Sequence, residues 1–460
     1  MAKRRHGTKP ASSSHRRASA PPAPKPFLAG VSESVAVVAL VTVVLGTSLL
    51  VDPNAYASFD APKRLIAVCG VSVAAFATFG LGRGSRTGGR RWRDLPGMAR
   101  IALLAAAGAL VWASLSALLS PDRAIALDSL RTILVFCLLL PLGASAAVAR
   151  RRNLLVAALL AAAAVNAVLS LLQTRGISLF RLQTFGTRNE TGALAGNVGY
   201  LALSLAFAAV LSLGAVLSAR GRLVRILAAA GLVLFLAGLF VNRNLTALIA
   251  LAIGGSLLLI LFFGRRSLVP VVAVVVALAA ASFLIAPVRQ RLGEAAGMIR
   301  RGDWDRLTTY RTGAWAAAVE MTRERPVVGW GPGTYAVEFT PKRLEAEIRA
   351  RRRYVNPLLT SSYSEAHCDY LQAFAETGVP GGLAALVAFG ALFAAVGRRA
   401  ATPGPNRTEA AILMGLLAAG AAAALTWFPL QRPISAAPLL LAAGRSWRIA
   451  SERPEEPANP

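Results

Sequence analysis

Apolar residues fall into twelve runs along the chain, at about residues 28–51, 63–81, 98–119, 125–149, 153–173, 194–218, 223–241, 244–264, 267–287, 380–397, 408–428 and 433–447. A helix needs about 20 apolar residues to cross a hydrocarbon layer of about 30 Å. The pattern therefore predicts an all-α integral membrane protein of about 12 transmembrane helices. Polar sequence divides it into a basic, Ser/Pro/Ala-rich tail (1–27, expected to be disordered), spans one to nine (28–287), an external helical layer (288–379), spans ten to twelve (380–447) and a short tail (448–460).

Composition agrees with the pattern. Of the 460 residues 55% are apolar and only 16% are charged, while Lys and Arg exceed Asp and Glu by 50 to 22. A soluble domain is nearer a quarter charged. The basic residues sit in short clusters between apolar runs, which is how a membrane protein distributes them and not how a nucleic-acid-binding surface does. With the N-terminus in the cytoplasm, 27 of the 50 basic residues lie on the cytoplasmic side, and an even number of spans returns the C-terminus there. Three cysteines and three histidines form neither a disulfide framework nor a metal-ligand cluster. No nucleotide-binding glycine motif is present, so no cofactor is expected.

In the external layer, Thr309 is placed to cap a helix from Tyr310 to about Arg323, followed by a glycine turn in VVGWGPGTY. Thr340-Pro341 predicts the start of a second, basic helix reaching about Arg353. A third is expected from Ser364 to Gly378, with His367, Tyr370, Leu371 and Phe374 on one face. In the first turn of that helix His367 would stay neutral, as a general base must, or would simply pack the helix onto the spans. Arg243, between Asn242 and Asn244 at the start of the eighth span, is either an interfacial anchor or faces a polar cavity. Arg311 is suited to forking onto phosphate oxygens, although most loop arginines are merely solvated.

Three pieces of sequence, NRN (242–244), RTGAWAAAVEMTRERPVVGWGPGTY (311–335) and EAHCDYLQAFAETGVPGG (365–382), resemble the O-antigen ligase and polymerase superfamily of membrane glycosyltransferases. FGTRNETGALAGNVGYLALSL (185–205) is similar to a family helix start. The resemblance implies a GT-C-like fold with a large periplasmic loop between spans nine and ten, set in a bacterial inner membrane. It implies metal-independent, inverting transfer of a glycan from undecaprenyl diphosphate to an acceptor hydroxyl, on lipid A-core or a similar molecule.

By that resemblance His367, Arg243 and Arg311 are catalytic. Arg188, Asp369, Tyr370 and Arg349 are expected to contact substrate. The basic helix carrying Arg349 would hold an anionic acceptor or phospholipid headgroups. Cys368 stands where the family commonly has Asn. Polymerisation of repeat units by the same donor chemistry is the alternative. A transporter is disfavoured because polar residues gather at the ends of the spans and not through their middles.

Overall fold

A computed structural model describes residues 27–55, 57–81, 92–177, 192–264, 266, 269, 286–354 and 363–452. Among them every regular element is helical, and ten helical stretches are long and apolar enough to cross a membrane. The chain is a multi-pass, all-α membrane protein. The spans are α1 (Phe27–Leu49), α2 (Asp60–Ala75, running on through a π-helical turn to Leu81), α3 (Gly97–Leu118), α4 (Arg123–Cys137) with α5 (Leu139–Gly143), α6 (Ala146–Gln173), α7 (Val198–Ser218), α8 (Arg222–Asn242) and α9 (Leu245–Phe263). After them come α10 (Ala286–Arg300), α11 (Trp304–Leu307), α12 (Thr312–Glu324) and α13 (Tyr335–Ala350). The last three helices are α14 (Asp369–Ala401), α15 (Arg407–Ala424) and α16 (Pro433–Ser451).

Two of the twelve expected spans are not among the ten. The run at 267–287 lies almost wholly outside the described residues. The last becomes α16, whose final turns carry Arg445 and Arg448; Arg445 is buried against Glu409 through bonds of 2.7 and 3.0 Å. The fifth span begins seven residues earlier than its apolar run, because Ser145 caps α6 by accepting from the Val148 N–H at 3.3 Å and the helix continues through Arg150–Arg152 with a kink at Arg151.

The helices expected between spans nine and ten also shift. Thr309 and Tyr310 have φ of 57° and 63°, so α12 cannot begin at 310; Arg311 takes the N-cap and Thr312 the first helical position. The second helix starts at Tyr335, with Pro341 inside it. The bond Pro341 cannot donate would have gone to Val337, which lies on the exposed side where water can serve its carbonyl. The third begins at Asp369 instead of 365 and does not end at Gly378. It bends there (φ 69°, ψ 179°) and continues as a span, packed along α3.

That bend is locked by the glycine turn. Trp330 and Gly331 donate to the carbonyls of Ala375 (3.1 Å) and Glu376 (2.8 Å), and Val379 donates back to Pro326 at 2.7 Å. The Glu376 carboxylate accepts the backbone N–H groups of Gly333 and Tyr335. From α3, Trp112 donates to Val327 O (3.1 Å) and Ser116 to Glu376 O (2.7 Å); beyond its end, Ser120 donates to Trp330 O at 2.6 Å. A small apolar core of Ala314, Ala317, Met321, Tyr335, Phe339 and Ala375 holds α12, α13 and the start of α14 together.

Candidate active site

The loop from Tyr363 to Cys368 is tied down at every turn. Ala366 N–H donates to Gln372 Oε1 at 3.0 Å, Tyr363 O–H donates to Tyr310 O at 3.3 Å, and Trp315 Nε1 donates to His367 O at 3.4 Å. His367 itself has a left-handed backbone, φ 53°, and sits just before the Cys368 N-cap of α14. The helical face expected to join His367 to Tyr370, Leu371 and Phe374 therefore does not include His367. A β-region residue at the cap and a left-handed one before it interrupt the helix that the apolar spacing suggested.

The imidazole is enclosed by rings: Tyr363 at 5.1 Å, Trp427 at 5.3 Å and Phe428 at 4.9 Å between centroids, all edge-on. Nδ1 is buried and makes no hydrogen bond. Burial, reinforced by the nearby guanidinium groups of Arg311 and Arg432, lowers the His367 pKa to about 3. The ring is neutral, as expected, but because it is desolvated between cations and not because of a helix terminus.

Arg311 comes to the same place from α12. Its Nη1 donates to Thr426 O at 2.9 Å and its guanidinium lies over the Trp427 ring, 5.2 Å from the centroid. Trp427 stacks on Phe428 at 4.7 Å and 15°. The hydroxyls of Thr426 and Thr246 are 3.0 Å apart, which joins this segment to the first turn of α9. Three residues before Thr246 is Arg243. Asn242 ties α8 to Val198 O at 3.0 Å and Asn244 caps α9 at 3.0 Å, so the two amides of NRN are structural and Arg243, with φ 54°, is left exposed between two helix ends.

His367, Arg311 and Arg243 thus lie on segments that meet at one end of the spans, and all three fall within one stretch of recognisable sequence. Residues 207–386 match the O-antigen ligase family. No curated protein matches the chain. The family assignment bears out the resemblance to the ligase and polymerase superfamily and points to ligase or polymerase activity on glycan and lipid substrates.

Within the O-antigen ligase stretch, Asp369 and Tyr370 are fastened to the end of α15 and the turn after it. Asp369 Oδ2 accepts the Leu430 N–H at 2.9 Å while Oδ1 is buried with no hydrogen bond, and Tyr370 O–H donates to Ala421 O at 3.0 Å. Arg349 is engaged by Glu320, through Nε at 3.0 and 3.1 Å and Nη2 at 2.6 Å. Lys342 and Arg343 on the same helix, and Arg352 just beyond its end, likewise face Glu324, Glu347 and Asp305. Much of the helix's charge is thus neutralised within the layer, while the Arg349 side chain keeps one side open to water. Arg188 lies outside the described residues.

Sequence reasoning missed the far wall of the site. Trp427, Phe428 and Arg432 lie beyond the matched stretch, in TWFPLQRP between the last two helices. A signal was there: an arginine beside paired aromatics at the start of a span is the same departure from apolarity that marked Arg243. Among the described residues no three His, Cys, Asp or Glu side chains are grouped to hold a metal ion.

Proposed function

We propose that the chain transfers a glycan from undecaprenyl diphosphate to an acceptor hydroxyl, in the manner of an O-antigen ligase. In this reading residues 288–379 form a periplasmic layer on an inner-membrane protein whose termini are cytoplasmic. The donor's prenyl tail lies in the bilayer and its diphosphate reaches the ends of α8, α9 and α12. Neutral His367 takes the proton as the acceptor oxygen forms its bond to the anomeric carbon. The bond from that carbon to the diphosphate breaks, and Arg311, Arg243 and Arg188 stabilise the charge on the departing oxygen. A single displacement of this kind inverts the anomeric centre. Asp369 and Tyr370 contact substrate from the start of α14, and Arg349 does so from the basic helix.

The observation that carries the reading is the meeting of His367 and Arg311 on the Thr426–Phe428 segment, with the imidazole buried and neutral. Incubating the purified protein with an undecaprenyl-diphosphate glycan and candidate acceptors tests it by product mass. A conjugate is expected; a lengthened glycan would make the chain a polymerase using the same site. Recovery of donor and acceptor unchanged under all conditions would refute both.

A further inference from the structure

Arg432 stands where three elements meet. It follows the turn Pro429–Gln431, caps α16 and is only 8% exposed. Its Nη1 bonds Asp60 at the start of α2, and its Nη2 bonds Glu365 in the loop that carries His367. The guanidinium also lies over the rings of Tyr200 (5.0 Å) and Phe428 (5.4 Å), and Phe428 is the ring nearest the imidazole. Both of its strongest partners are carboxylates, so its charge is spent inside the protein and is not offered to a diphosphate. Such a buried pair is destabilising to break, because the partner left behind is an uncompensated charge.

We propose that Arg432 is a positioning residue: by clamping Glu365 to Asp60 and backing Phe428, it holds His367 in its left-handed backbone and against its aromatic wall. This rests on the reading of His367 as the group that accepts the acceptor's proton. The residue lies outside the matched stretch, which ends at 386. A left-handed backbone in a residue other than Gly persists only when its surroundings over-determine it. Around His367 those surroundings are the contacts of Glu365, Ala366 and the His367 carbonyl itself, of which the Glu365 contact alone reaches α2 and α16.

The clamp also has an electrostatic side. Arg311 and Arg432 face the imidazole and disfavour its protonation. Tyr363 lies at its edge, Glu365 is two residues before it, and Cys368 and Asp369 follow it. Removing Arg432 deletes one cation and releases the Glu365 carboxylate, and both changes favour imidazolium.

The test uses full-length wild type, Arg432→Gln, Arg432→Lys and Glu365→Gln. The rate at which diethyl pyrocarbonate modifies His367 is followed by peptide mass between about pH 5 and 8, alongside kcat and KM for transfer. Arg432→Gln should speed modification about tenfold as the loop opens locally, and should bring a protonation step into that pH window. It should lower kcat more than KM, with Arg432→Lys in between. If Arg432→Gln does not fold, Glu365→Gln cuts the same clamp from the other side and is read by the same rates. Equal rates and equal pH profiles for His367 in wild type and in the folded variant would overturn the proposal. Because modification needs no turnover, an inactive wild type would refute the transferase reading and leave this result to stand by itself.

Discussion

Arg349 and Arg432 each hold glutamate through short, charge-assisted bonds, yet they occupy opposite kinds of place. Arg349 lies on the outside of α13 with its side chain 62% exposed; Arg432 is enclosed between α2, α16 and the His367 loop, its side chain 10% exposed. Water screens the Arg349 end of the first pair, and its buried partner Glu320 keeps a second cation, Arg323, at 3.7 Å, so losing Arg349 does not leave that carboxylate alone. The second has little water to fall back on, and losing either partner strands a charge. A count of basic residues treats the two alike. Burial and the elements joined decide which one the site depends on.

The largest effect that would sharpen this contrast is at the site itself. His367→Ala should reduce transfer by about 10²–10⁴-fold, the range removed with a general base, while leaving the thermal midpoint near wild type; wild-type turnover in that variant would remove the base assignment. Arg311→Ala should cost about 10²–10³-fold in kcat, as loss of a charge-stabilising group does. Next comes stability. Arg432→Gln should lower the unfolding free energy by about 3–5 kcal/mol, whereas Arg349→Ala, which leaves Arg323 beside Glu320, should lower the midpoint less, and an equal drop there would erase the distinction between the two arginines.

The remaining effect is in pH and appears only in acid. The folded pKa of His367, about 3, is below the unfolded value near 6.5. The unfolded chain therefore binds the proton first, and this residue's contribution to stability is fully present above about pH 6.5 and lost as pH falls toward 3. Transfer should accordingly show no His367 limb near pH 6.5, and His367→Gln should flatten the acid slope of stability measured by denaturant melts.

The spans were legible because hydrocarbon imposes one strong requirement, about 20 apolar residues per crossing. Their ends were less so. Arg150–Arg152 reads as a boundary, yet the helix continues through it with a kink at Arg151, Arg150 and Arg152 being paired with Glu33 and Glu409 of other helices. At the site, residue types were legible and their surroundings were not. His367 and Arg311 stood out from sequence, but the left-handed turn at His367 depends on Gln372, Trp315 and Glu365, contacts between elements that no local spacing encodes. The role of Arg432 is not encoded by its neighbours, because its meaning lies in Asp60, more than three hundred residues away in sequence.

The glycine turn and the bend in α14 meet backbone to backbone. A Cβ on Gly329 would come within 2.4 Å of Glu376 O, and one on Gly378 within 2.3 Å of Val327 O. Neither segment can give way to a side chain on the other. For anyone building chimeras to change the acceptor, residues 326–335 and 375–379 are a single cassette. Crossovers that separate them would pair a turn with a bend it was not shaped for.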